Sequence, residues 1–280
     1  MRRNLGSNVL FNLVMMTRQR SQRSVLLTES DQDTDFYRRF VSEPHCLVRS
    51  ASTHDGVLPN REGVLVNLER FSQCHVRACA GIIDADNDYV LRRPKPIPEV
   101  FLTDKTDKET SVIDSAAFES FCVSLKSSVP AIDLRRLLYE SAFPLGAIRR
   151  VSHREGMGID FKNINVSNFI TEGPACVSSK CCEEVASTNP DLALSVQTLA
   201  DFTRDECCLS LPRTHVVRGH DLVAILESQS QSLFGREVSQ RELEYELAKA
   251  YTFGHFRTTM TYADLREWEG AILPTYKLFA

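Results

Sequence analysis

Three short apolar runs, each closed by a cluster of carboxylates, constrain this chain more than any other feature. Residues 24–28 are followed by Glu29-Ser30-Asp31-Gln32-Asp33. Residues 76–83 are followed by Asp84-Ala85-Asp86-Asn87-Asp88, and residues 100–103 by Asp104-Lys105-Thr106-Asp107-Lys108-Glu109. Runs this short, with turn signals at their ends, read as buried strands. A further short strand is expected at 47–50. Helical periodicity fills the gaps: 31–41, with acidic residues in the first turn and Phe36, Tyr37 and Phe40 on one side, then 62–71 and 116–125. Gly56, Pro59 and Asn60 mark a loop over 52–61, and three prolines mark another over 92–98.

Strands alternating with helices predict an α/β unit with a mainly parallel sheet flanked by helices, over residues 23–128. Ser127-Ser128 and Pro130 mark its end. Residues 129–280 predict a mostly helical region, with helices at 133–143, 192–202, 221–234, 240–251 and 262–271. Residues 1–22 read as an N-terminal extension. Its apolar stretch 9–16 is broken by Asn12 and followed by Arg18, Arg20 and Arg23, without a small-residue cleavage site, so it reads as a short helix rather than a signal peptide. Met15 and Met16 are alternative translation starts. No segment reaches the roughly 18–20 apolar residues needed to span a membrane.

In a parallel sheet the C-terminal strand ends share one edge, where ligand sites form. Carboxylates gathered there repel one another and call for a cation. Hard oxygen donors select Mg²⁺ or Mn²⁺ over softer metals. The competing reading is that Asp and Asn after strands are turn formers and helix caps, the commoner outcome for any one cluster alone. Three such clusters in one α/β unit favour a shared acidic pocket. Glu29, Asp84 and Asp86 are then expected within metal-bridging range, with carboxylate oxygens roughly 3–6 Å apart.

A lone Glu after the first strand and Asp-x-Asp after a later apolar strand resemble the TOPRIM domain of topoisomerases, DnaG-type primases and OLD-type nucleases. Glu29-Ser30-Asp31-Gln32-Asp33 leading into Phe36-Tyr37 resembles the Glu-Gly-x-x-Asp opening of one branch. Thr103-Asp104-x-x-Asp107-x-Glu109 is similar to its Thr-Asp-x-x-Asp-x-Glu signature, and Val217-Arg218-Gly219-His220-Asp221-Leu222 to a motif in its helical half. That branch includes the AriB-like effectors of the PARIS anti-phage system. The resemblance implies a Mg²⁺- or Mn²⁺-dependent nuclease cutting RNA such as tRNA, or DNA. Glu29 would serve as general base or ligand, Asp84 and Asp86 as ligands, and Asp107 and Glu109 as the rest of the pocket, with Asp88 and Asp33 behind them. It also implies a toxic cytoplasmic effector restrained by an AAA- or ABC-type ATPase and associating as a homodimer. Ser30 stands where the branch has Gly; were its φ positive, it would carry strain of about 1 kcal/mol.

The formal net charge of −4 excludes a generic basic nucleic-acid binder, so phosphate contacts must be local. Arg92, Arg93 and Lys95 follow the Asp-x-Asp loop; Arg149, Arg150, His153 and Arg154 form a second group. His220 is a further candidate. Nine cysteines fit no regular zinc spacing, the nearest set being Cys176, Cys181, Cys207 and His215. They read as reduced thiols of a cytosolic protein. No P-loop is present, so ATP-driven control requires another chain. A non-catalytic TOPRIM-like binding or regulatory module is the alternative to a nuclease. A primase would need template-handling domains, and a topoisomerase a DNA-gate domain with its tyrosine; the chain is short for either.

Overall fold

In the computed structural model, described for all residues except 1–4, 52–59, 92, 167–178, 193, 273–275 and 280, the chain is α/β. A four-stranded, all-parallel sheet is flanked by helices, and a helical part follows. Contacts divide the chain into two compact units. The first comprises 1–85, 94–104 and 252–280, the second 86–93 and 105–251. Residues 105–128 fall in the second, helical unit, and the last helices in the unit with the sheet.

The first unit runs α1 (Leu5–Arg20), β1 (Ser24–Thr28), α2 (Asp31–Arg38), β2 (Cys46–Ser50), α3 (Asn60–Gln73) and β3 (Cys79–Ile83). The second unit supplies α4 (Asp88–Leu91), after which β4 (Val100–Leu102) completes the sheet. The strand order is β2-β1-β3-β4. Alternation along the strands decides what faces what. Val25, Leu27, Leu47, Cys79, Ile83, Val100 and Leu102 share one buried cluster with Val64, Leu68 and Phe71 of α3 and Val14 of α1. Gly81 lies on that face because a Cβ there would overlap Val64 of α3. The intervening residues Leu26, Ala80, Ile82 and Phe101 point to the other face. There Phe101 meets Trp268 with ring centroids 6.1 Å apart.

The second unit contains α5 (Lys108–Ile113), α6 (Ala117–Ser124), α7 (Ala131–Glu155), α8 (Ser179–Thr188), α9 (Val196–Cys208), α10 (Gly219–Ser228), α11 (Ser230–Phe234) and α12 (Gln240–Ala250). The helix expected at 133–143 is part of α7, which has 25 residues and runs through Pro144. Proline costs a helix one hydrogen bond and a steric clash. Here the turn around it is fully packed, with Phe143, Leu145 and Ala147 all buried, so tertiary burial overrides the local breaker. The helix expected over 221–234 divides at Gln229 into α10 and α11. The first unit closes with α13 (Phe253–Phe256) and α14 (Met260–Ala271). The expected loop over 52–61 lies outside the described residues except at Asn60 and Arg61, which open α3. Among the described residues, no helix is long and apolar enough to cross a membrane.

Candidate functional site

At the C-terminal ends of the strands, the first unit places a carboxylate at the point where the strand order reverses. The chain leaves β1 for β2 on one side and then returns to β3 on the other. In such open parallel sheets the ends of the two strands at that reversal are where ligands bind. Glu29 follows β1 and Asp84 follows β3. The Asp84 backbone N–H donates to Glu29 Oε1 at 2.9 Å. One residue on, the Ala85 N–H donates to Thr103 Oγ1 at 3.0 Å, tying the end of β4 to the same loop. Residues 84–85 are thus held from both sides. Asp86 then takes φ +47°, a left-handed conformation that Asp tolerates better than most residues.

Ser30 does not carry the strain that a positive φ would impose. Its φ is −136°, and it is the N-cap of α2. Its hydroxyl accepts from the Asp33 N–H at 3.1 Å, while the Asp33 carboxylate accepts from the Ser30 N–H at 3.1 Å. Asp33 is therefore half of a capping box, and a serine here supplies a cap that glycine lacks.

The third acidic cluster is occupied by structural work. Asp104, in the first unit, accepts from the N–H groups of Met260 and Thr261, both at 2.8 Å, and from Thr261 Oγ1 at 2.6 Å. It thereby satisfies the otherwise orphaned donors at the start of α14. Asp107, in the second unit and expected to join a metal pocket, is the N-cap of α5. Its Oδ1 accepts from the Thr110 N–H at 2.9 Å, and its Oδ2 from the Gly219 N–H at 2.6 Å. Both oxygens are used by backbone. A Cβ at Gly219 would overlap Asp107 and Glu109, which is why the chain has glycine there. Burial pushes the Glu109 carboxyl up from its ordinary value, Lys108 draws it down, and Asp107 pushes it up again. The Lys108 ammonium stands 3.1 Å from Glu109.

The second unit holds a cavity of about 550 Å³ whose lining includes Asp86, Asn87, Arg149, His153, Phe161 and Arg218. Asp86 and Arg149, candidates 63 positions apart, thus share one wall. Arg149 is fixed by a two-pronged ion pair with Asp221, one arm at 3.1 Å and the other shorter, and its guanidinium lies 5.1 Å from the Phe161 ring centroid. Asp88 is buried, 3.7 Å from Arg93, and Arg93 also reaches His153 Nε2 at 3.0 Å. Arg218 went unmarked as a cavity residue in the sequence, although it sits inside the Val217–Leu222 motif.

Among the described residues, the remaining basic candidates do not line this cavity. Arg150 is buried and ion-paired with Glu206, which also accepts from Arg154 at 2.9 Å. Arg150 is a core ion pair and presents nothing to a phosphate. Lys95, in the first unit, pairs with Asp264 at 2.8 Å. His220 is exposed, 3.8 Å from Glu244. Arg92 and Cys176 lie outside the described residues. Cys181 is buried, and burial pushes its thiol well above the ordinary range.

Among the described residues, no three side chains of His, Cys, Asp or Glu are placed so that together they could hold a metal ion. Mg²⁺ is commonly held by one or two carboxylates, its other positions filled by water and substrate phosphate. The Glu29 and Asp84 carboxyl groups, brought together through the Asp84 backbone N–H, fit that sparse donor set. They do not fit an all-protein cage. No protein-family model matches the chain, and no curated protein does.

Proposed function

We propose that this chain is a metal-dependent nuclease that hydrolyses phosphodiester bonds in RNA, such as tRNA, or in DNA. The observation that carries the reading is the meeting of Glu29 with Asp84 at the ends of β1 and β3, the place where an open parallel sheet binds ligands. Glu29 and Asp84 would hold the cation. When bound, a divalent cation neutralises phosphate charge and lowers the pKa of water. Glu29 is the candidate to accept the proton of the attacking water. Arg149 and Arg218, which line the cavity of the second unit, would hold phosphate oxygens, and Asp221 keeps the Arg149 guanidinium in one orientation. The TOPRIM resemblance supports a toxic role in anti-phage defence. In that role a partner AAA- or ABC-type ATPase restrains the chain, and release lets two copies associate in the cytoplasm.

The second reading is a TOPRIM-like binding or regulatory module of an ATPase complex. The lack of any three-ligand group among the described residues favours it. Cleavage of labelled RNA and DNA with Mg²⁺ or Mn²⁺, with and without EDTA, and with and without co-expressed ATPase, separates the two. Metal-dependent cleavage supports the nuclease. Nucleic-acid or ATPase binding without cleavage in any of these mixtures leaves the module.

A further inference from the structure

A second cavity, of about 390 Å³, lies in the first unit along β2. Its lining carries three guanidinium groups, from Arg23, Arg38 and Arg49, and a single carboxylate, from Glu43. Because the strand order leaves β2 at the rim of the sheet, charged side chains there have one ready explanation: they blunt an open edge against pairing with another chain. Part of the arrangement fits that. Arg49 Nη1 donates to the Val48 carbonyl at 2.9 Å, and Arg23 Nη2 donates to the carbonyls of Cys46, at 3.1 Å, and Glu43.

Edge blunting does not account for the convergence. One charge suffices to spoil an edge, whereas three cations around one hollow repel each other. Burial, and then the charges of Arg38 and Arg23, hold Arg49 below its ordinary value. Among the described residues, neither Arg23 nor Arg49 has a carboxylate within ion-pair reach. Arg38 has Asp35 at 3.1 Å, but that carboxylate is 76% exposed and the pair contributes little. Among the described residues, Arg23 Nε is buried with no acceptor. A buried donor without an acceptor costs about 1–3 kcal/mol. A tetrahedral oxyanion would offset the repulsion and provide that acceptor, and forked guanidinium donors match its geometry.

We infer that the cavity formed by Arg23, Arg38 and Arg49 is a binding site for a phosphate group, supplied either by a polynucleotide backbone or by a free nucleotide. The inference is independent of the acidic strand ends, and its test needs no cleavage. The full chain is assayed in EDTA by fluorescence anisotropy with a labelled single-stranded oligonucleotide. In parallel, its thermal unfolding is followed with inorganic phosphate and with 5′-AMP. Arg38→Gln/Arg49→Gln is compared with the charge-keeping Arg38→Lys/Arg49→Lys. The Gln pair is expected to weaken oligonucleotide binding by roughly tenfold and to lower the slope of log affinity against log salt by about one. The Lys pair is expected to keep most of both. A rise in unfolding temperature with phosphate or 5′-AMP, lost in the Gln pair, assigns the site to free phosphates. Oligonucleotide binding without any response to the small ligands assigns it to a polynucleotide backbone. Should the Gln pair fail to fold, Arg49→Gln alone and the titrations of the unmodified chain decide. Absence of binding by all three probes, or equal binding by the Gln pair and the unmodified chain, overturns the inference and leaves the arginines as edge protection.

Discussion

The carboxylate of Glu29 accepts a hydrogen bond from the backbone N–H of Asp84, 55 positions further along the chain, at 2.9 Å. This one contact joins the ends of the two central strands and holds the start of the Asp84-Ala85-Asp86 loop. It also allows a clean test of Glu29. Glutamine keeps the size and can still accept from the Asp84 N–H, but it loses the charge that attracts a cation. Glu29→Gln is therefore expected to abolish metal-dependent cleavage, by about 100-fold or more, since a general base alone contributes about 10²–10⁴. The unfolding temperature should change by no more than a few degrees. Cleavage assays beside circular-dichroism melts check this; full activity in a folded variant removes Glu29 from the chemistry.

Asp104 and Asp107 should behave as caps. Asp107→Ala orphans the N–H groups of Thr110 and Gly219 and is expected to cost about 2 kcal/mol of stability, and Asp104→Ala a similar amount at the start of α14. Asparagine at either position should recover part of the loss, because its side-chain oxygen still accepts. Denaturant melts of the four variants provide the measurement. Stable alanine variants that lose only activity would return these residues to the pocket.

The buried pair of Arg150 and Glu206 predicts a stability phenotype in place of a binding one. Glu206→Ala leaves the Arg150 guanidinium buried and uncompensated, which typically costs about 3–5 kcal/mol. Replacing both partners with apolar residues of similar size should recover most of it. Chemical denaturation of the single and paired variants measures the difference. A nucleic-acid-binding defect in a fully stable Arg150 variant would contradict it.

In the cavity of the second unit, Arg218→Gln is expected to lower nucleic-acid affinity with little change in folding, because Arg218 is exposed. Arg149→Gln should lower both, since it strands Asp221, which is only 5% exposed. Filter binding and thermal melts of the two variants are sufficient. Equal stability of the two would show that the Arg149–Asp221 pair contributes nothing to folding.

The C-terminal segment is anchored by Glu269, which accepts from the N–H groups of Leu278 and Phe279 and pairs with Arg266. Phe279 in turn lies 4.9 Å from Tyr262, ring to ring. Glu269→Ala is expected to destabilise the protein by about 2 kcal/mol and to expose residues 276–279 to limited proteolysis. Mass spectrometry after limited digestion reads this out; an uncut segment in the variant would show that the aromatic contacts suffice without Glu269.

Much of the first unit was legible along the chain. Apolar runs closed by acidic turns located β1, β3 and β4, because burial on both faces of a parallel sheet demands uninterrupted apolar sequence, while β2 followed from a short apolar stretch with no acidic turn after it. The neighbourhood of Glu29 and Asp84 follows from the same logic: parallel strands that pair bring their C-terminal ends to one edge. What the sequence could not decide is which carboxylates the fold would use for itself. Asp104 and Asp107 carry the same local signature as the other clusters, yet their partners are Thr261 and Gly219, more than a hundred positions away. The role of Arg150 likewise depends on Glu206 of a different helix, and the passage of α7 through Pro144 on packing that no local window contains. Periodicity and composition are properties of neighbours in sequence, so they determined the strands and the edge where their acids meet. Capping, ion pairing and the burial of a proline are properties of neighbours in space, and only the tertiary structure decided them.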